Sequence, residues 1–231
     1  MLPEKLRSLF RKEHEPFSPA REAVPQSEQP STRKHATSNP PITRQSRGLE
    51  QFFFNIRDMV GLSILDLAGA NQENINFLTH LGHKVYSQDI IRSLDDAFGR
   101  EPAEQTNVSR IEYFLKNNFD YEPGTFDGVL LWDSLQFMGP ALLNATVERL
   151  AEVMRPKSYL LAFFTANERV IEVPSHAFRI VDNKTILIAE RGMRTSGQVF
   201  NNRNLEKLFG KFESVKFFLT KESLREVIVR R

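Results

Sequence analysis

The chain contains no cysteine, and among its 231 residues there are one tryptophan and 11 glycines. Without cysteine there is no disulfide framework, no cysteine-ligated zinc or iron–sulfur site and no thiol nucleophile. Long apolar runs are missing too: stretches such as residues 129–132 and 159–164 have the length of a strand, far below the ~20 residues of a membrane helix. Nor does one charge dominate, since 31 Lys+Arg against 29 Asp+Glu leave a formal net charge of +2, too small to argue for a nucleic-acid partner. The five histidines do not cluster with carboxylates at ligand spacing, so no metal site is expected. The opening MLPEKLRSLFRKEHEP scatters its charges and holds no continuous apolar segment, which makes a cytoplasmic location the expectation.

What is present divides near residue 48. Residues 1–48 hold 7 of the 12 prolines and 9 Lys+Arg against 5 Asp+Glu, so their net charge of +4 leaves the remainder at −2. So polar a segment cannot bury enough apolar surface to offset ordering costs of roughly 1–2 kcal/mol per residue, and residues 1–47 are expected to be a disordered tail. Within it, Leu2, Leu6, Leu9 and Phe10 share a helical face surrounded by basic residues, a candidate short contact helix.

From residue 48 onward, helical and strand-like segments alternate. A helix with the Phe52–Phe54 triplet is expected over residues 49–60, a strand over 62–67 and a helix over 71–82 closed by Gly82. A second strand over 83–88 completes a parallel crossover unit of about 28 residues. Further helices are expected over 108–118 and 140–154, and buried strands over 126–132 and 159–164. The last third reads differently, with a hairpin around Asp182, Asn183 and Lys184, a short helix over 204–209 and two strands over 212–220 and 224–230. The fold class expected is α/β, a doubly wound, Rossmann-like, mostly parallel sheet closed by a C-terminal antiparallel strand pair. Residues 48–231 would form that domain. A third parallel strand is hard to find between residues 91 and 125, where helix-like sequence runs on.

In such a sheet, ligands bind at the carboxyl ends of strands where the strand order reverses. The first strand leaves through Asp66-Leu67-Ala68-Gly69-Ala70-Asn71-Gln72, ahead of a helix N-terminus that favours anions. The second ends at Asp89, which could accept hydrogen bonds from two vicinal ribose hydroxyls. A carboxylate there rejects a 2′-phosphate, the single glycine of the loop fails the dinucleotide fingerprint, and no Gly-Lys-Ser/Thr exists for a P-loop.

Three ordered stretches, ILDLAGANQENINFLTHLGHKVYSQDI, FDGVLLWDSLQFM and ERLAEVMRPKSYLLAFF, resemble the first loop, fourth strand and fifth strand of class I S-adenosylmethionine-dependent methyltransferases. The resemblance covers about residues 49–231 and implies a methyltransferase using S-adenosyl-L-methionine on an unidentified acceptor, with small molecules, lipids or proteins favoured over nucleic acid. The cofactor-binding residues it implies are Asp66, Ala68, Gly69, Ala70, Asn71, Asp89 and Ile90, with Asn118, Phe119 and Asp120 at the position toward adenine. Trp132 is either an aromatic wall over the cofactor or core, and Asp133 either a general base or a helix cap. The chain departs from the family's Gly-x-Gly-x-Gly by placing Ala68, Ala70 and Gln72 at the glycine positions. Gln72 either begins the helix or intrudes on the cofactor. The alternative expectation is therefore a methyltransferase-fold interaction module that has lost the cofactor. The stretch from residue 191 to 200 reads as a loop, and its Arg191 and Arg194, with nearby Arg203, could receive an acidic substrate or simply solvate the surface.

Overall fold

The computed structural model describes residues 40–220 and 224–231; the candidate contact helix at residues 2–10 lies outside them. The described chain opens with strand β1 (Ile42–Gln45) and helix α1 (Arg47–Ile56), then runs β2 (Ser63–Asp66), α2 (Gln72–His80), β3 (Lys84–Ser87), α3 (Ile90–Phe98) and α4 (Val108–Phe119). It continues through β4 (Phe126–Trp132), α5 (Pro140–Val153), β5 (Met154–Thr165), β6 (Glu172–Ile180), β7 (Thr185–Thr195), α6 (Asn202–Leu208), β8 (Ser214–Leu219) and β9 (Leu224–Arg230).

Six strands form the main sheet in the order β3-β2-β4-β5-β9-β8. β3, β2, β4 and β5 are parallel, whereas β9 is antiparallel to both β5 and β8. The expected doubly wound sheet closed by an antiparallel pair is the fold observed. Among the described residues no strand lies between α3 and β4; helices fill that interval, and β3 is left as the sheet edge.

Strand periodicity sorts the core into two layers, because successive side chains point to opposite faces. Leu65, Val129, Leu131, Leu160, Ala162, Val227 and Val229 pack beneath α3, α4, α5 and α6. Their neighbours Ile64, Leu130, Trp132, Leu161, Phe163 and Ile228 pack under α1, α2 and a second sheet. With both faces covered, β4 and β9 are buried almost throughout and read as continuous apolar runs. On α1, Leu49, Phe52, Phe53 and Ile56 make the buried stripe, while Phe54 is exposed. Close approach of this helix requires Gly128, where an added Cβ would stand 2.7 Å from the Phe52 ring and 2.8 Å from Ile64.

The second sheet is antiparallel, in the order β1-β7-β6. It corrects two expectations. The tail does not extend to residue 47, since Ile42–Gln45 pair with β7 and the next residues are anchored by the fully buried Glu226. That carboxylate accepts hydrogen bonds from Arg44 Nη2 (2.9 Å), Ser46 Oγ (3.0 Å) and the Gly48 amide (2.6 Å). Composition cannot foresee this, because the partner lies some 180 residues away. Likewise, the segment from residue 191 is not wholly loop: β7 runs on to Thr195, and the hairpin is far longer than its turn signal suggests.

Candidate functional site

From β2 the chain crosses through α2 to β3 on one side, and β4 then pairs with the other side of β2. Strand order therefore reverses at β2, and a crevice is expected outside the carboxyl ends of β2 and β4. Asp66 ends one strand and Trp132 the other.

Asp66 is fully buried. Its Oδ1 accepts hydrogen bonds from the Trp132 indole Nε1 (2.6 Å) and the Ala68 amide (3.0 Å), and its Oδ2 accepts from Asn74 Nδ2 (2.9 Å). Burial pushes its pKa up, against the opposing pull of these donors. Its carboxylate thus fixes the loop from below. Trp132 has a left-handed φ of 54° at an irregularity in the β4–β5 register, a conformation costing of order 1–3 kcal/mol in a bulky residue. This backbone turn lays the indole against Asp66 and stacks it on Phe178 of β6, with ring centroids 5.1 Å apart and planes 10° from parallel.

β6 passes over the same loop. Asn71 and Asn74 both donate to the Phe178 carbonyl (3.3 and 3.4 Å), and Asn74 Oδ1 accepts from the Ile180 amide (2.7 Å). Asn71 also caps α2 by accepting from the Glu73 and Asn74 amides. Gln72 is the first helical residue and is exposed, its amide donating to Asn76, and it borders the pocket shared by the loop and Asp89. The floor is filled by Trp132 and Phe178. Neither Asn74 nor Phe178 stood out in the sequence, since each matters through a contact with an element about a hundred residues away.

The rim differs. Asp89 follows β3 and caps α3, its Oδ1 accepting from the Arg92 amide (3.1 Å). Its Oδ2 stands 4.0 Å from Arg191 Nη1, and the Asp89 side chain is 38% exposed. Gly69 faces it with φ 91°, and a Cβ there would come within 3.3 Å of that carboxylate oxygen; only glycine gives the loop this approach without strain. Ala68 and Asp89 are joined by an isolated bridge. Ala68, Gly69, Ala70, Asn71 and Asp89 line a pocket of about 280 Å³, and a second of about 240 Å³ lies on the other side of the Asp89–Arg191 pair. Each is near the lower end of the ~300–1,000 Å³ typical of small-molecule sites.

Of the other residues singled out, Ile90 and Phe119 are completely buried in the layer beneath α3 to α6. Asp120 is exposed at the end of α4 and lines neither pocket beside Asp89. Asp133 is buried and makes no helix cap; its Oδ2 accepts from the His176 amide (2.9 Å) and lies 3.1 Å from His176 Nδ1. His176 in turn borders a cavity of about 210 Å³ between the two sheets, shared with Arg44, Gln136, Thr165 and Glu190. Arg203 lines none of these sites, whereas Arg191 and Arg194 do. Among the described residues, no group of three or more His, Asp or Glu could hold a metal ion, and no helix is long and apolar enough to cross a membrane.

The fit to an adenosyl cofactor divides along the same line. At the rim, a half-buried carboxylate beside a glycine-opened loop suits a ribose diol. At the floor, every donor around Asp66 is already engaged and aromatic rings occupy the space.

No family model and no curated protein matches the chain. Among solved structures, it is similar to the 1,6-didemethyltoxoflavin-N1-methyltransferase of Burkholderia thailandensis, which contains bound S-adenosylhomocysteine. That match has 10% identity over 80% of this chain and 76% of that one, with a TM-score of 0.45. The N-methyltransferase NodS of Bradyrhizobium japonicum, also in complex with S-adenosylhomocysteine, matches at 8% identity over 80% and 85%, with a TM-score of 0.41. A SAM-dependent methyltransferase of Aquifex aeolicus matches at 11% identity over 80% and 94%, with a TM-score of 0.39.

Proposed function

We propose that this chain binds S-adenosyl-L-methionine at the rim beside Asp89, next to the crevice at the carboxyl ends of β2 and β4, and transfers its methyl group to an acceptor that is a small molecule, lipid or protein. The observation that carries this reading is the half-buried Asp89 carboxylate, set against Gly69 beside the point where strand order reverses. Asp89 would hold the ribose hydroxyls, and the backbone of Ala68 to Asn71 would line the path toward the β2 end. Asp66 positions that loop from beneath, through the Ala68 amide and Asn74. When bound, the cofactor supplies an already activated methyl group, so the protein's share is alignment and exclusion of water. This is consistent with a site that lacks a nucleophile.

Calorimetric titration of the full chain with S-adenosylhomocysteine tests the reading. Saturable binding is expected, and Asp89→Asn should weaken it tenfold to about a hundredfold, the worth of about 1.5–3 kcal/mol for hydrogen bonds to a charged group. Absence of binding by the folded chain would remove the enzyme. A second reading, an interaction module without cofactor, is favoured by one observation: Trp132 stacks on Phe178 where the crevice floor should be open. The same titration decides between them.

A further inference from the structure

The 240 Å³ pocket beyond Asp89 has an unusual lining. Arg100, Arg191 and Arg194 converge on it with Ser175, Asp89 and Asp95. Arg194 is held by Asp95 through two ion-paired hydrogen bonds, Nη1 to Oδ2 at 3.0 Å and Nη2 to Oδ1 at 2.6 Å. Arg191 Nη1 stands 4.0 Å from Asp89 Oδ2. A fourth arginine of the lining, Arg92, is 3.8 Å from Asp96 on the solvent side, and Arg100 makes no ion pair among the described residues. The lining therefore holds four guanidinium groups and two carboxylates, an excess of positive charge focused in a concave site.

A second observation is independent of charge. Two buried polar atoms on this lining have no hydrogen-bond partner, Arg194 Nε and Ser175 Oγ, in residues only 8% and 2% exposed. Orphaned buried groups cost about 1–3 kcal/mol each and are rare in folded proteins without a missing partner. The N–H can only donate and the hydroxyl can donate, so both suit an oxygen-rich anion. Placement supports this: the β6–β7 register shifts between Ser175 and His176, opposite Gly192 with φ 115°, and such bulges re-aim a side chain.

We propose that this pocket is an oxyanion site for a carboxylate or a phosphate group, contacted by Arg100, Arg191, Arg194 and Ser175. Resting on the methyltransferase reading, the anion belongs to the methyl acceptor, which would enter beside the cofactor with Asp89 and Arg191 between the two pockets.

The test is calorimetry on the full chain with inorganic phosphate and, separately, acetate, at fixed ionic strength. At least one should bind saturably at one site per chain, and which one does identifies the group. The double variant Arg100→Gln/Arg191→Gln, altered at exposed positions, should raise that Kd at least tenfold, and Lys211→Gln, remote from the pocket, should leave it within twofold. Saturating S-adenosylhomocysteine should also leave it within twofold. Failure of both anions to bind, or equal binding by the double variant, overturns the site. Displacement of the anion by S-adenosylhomocysteine overturns its assignment to the acceptor. Anion binding as expected in a chain that does not bind S-adenosylhomocysteine upholds the site and removes the methyltransferase reading alone.

Discussion

Asp66 and Asp89 stand at the same ends of two adjacent parallel strands, yet the fold gives them opposite tasks. Asp66 is enclosed by Trp132, Asn74 and Ala68 and has no exposed surface. Asp89 spends one oxygen on the α3 cap and presents the other to Arg191 and the rim. The difference comes from the strands' neighbours: β2 lies inside the sheet with β6 across its end, while β3 is the edge. A carboxylate in one setting is structure, and in the other it is available to a ligand.

The contrast is broken most severely at the floor. Asp66→Ala would leave the Trp132, Asn74 and Ala68 donors unpaired, at about 1–3 kcal/mol each when buried; with partial relaxation we expect a loss of about 4 kcal/mol by urea unfolding. That corresponds to a melting temperature lower by roughly 10 °C for a domain of this size. Asn74→Ala, which severs the ties from Asp66 to the Phe178 carbonyl and the Ile180 amide, should cost about 2 kcal/mol. It should also raise amide exchange at Ile180.

A pH series sharpens the comparison. Because burial holds the Asp66 pKa above its ordinary 3.8, the folded state keeps that proton more tightly than the unfolded chain. The corresponding stability is present below the unfolded pKa and is lost as pH rises through the folded value. The stability of the native chain relative to Asp66→Asn should therefore decline from acidic pH upward across that window. A flat difference would refute the burial argument. The smallest effect is expected at the rim, where Asp89→Asn should change stability by no more than about 0.5 kcal/mol while weakening S-adenosylhomocysteine binding. A large loss of stability there would make Asp89 a structural cap like Asp66.

Much of the fold was legible in local pattern. β4 matches the expected strand residue for residue, α5 and α2 sit where apolar spacing and Pro140 or Asn71 place them, and the missing third strand was visible as uninterrupted helical sequence. Less of the site could be read. Asp66, Asp89 and the loop between them follow from strand ends, but the covering by β6 does not. Asn74 and Phe178 carry no local signal, because their significance lies in a pairing about 100 residues apart, and Ser175 counts only through the pocket it shares with α3. β1 escaped detection in the same way: four residues in a proline-rich stretch become a strand when β7 offers an edge and Glu226 offers a buried acceptor.

Sequence alone determined the alternation of helix and strand, the parallel crossover, the loop from Asp66 to Gln72 and the lack of thiol or P-loop chemistry. These depend on periodicity, turn residues and composition, which act over a few residues. Tertiary structure decided which aspartate meets solvent, that Trp132 belongs to the floor and not to an open wall, and that four arginines share one pocket. Such properties depend on burial and on charges brought together by distant segments, and no local pattern encodes them.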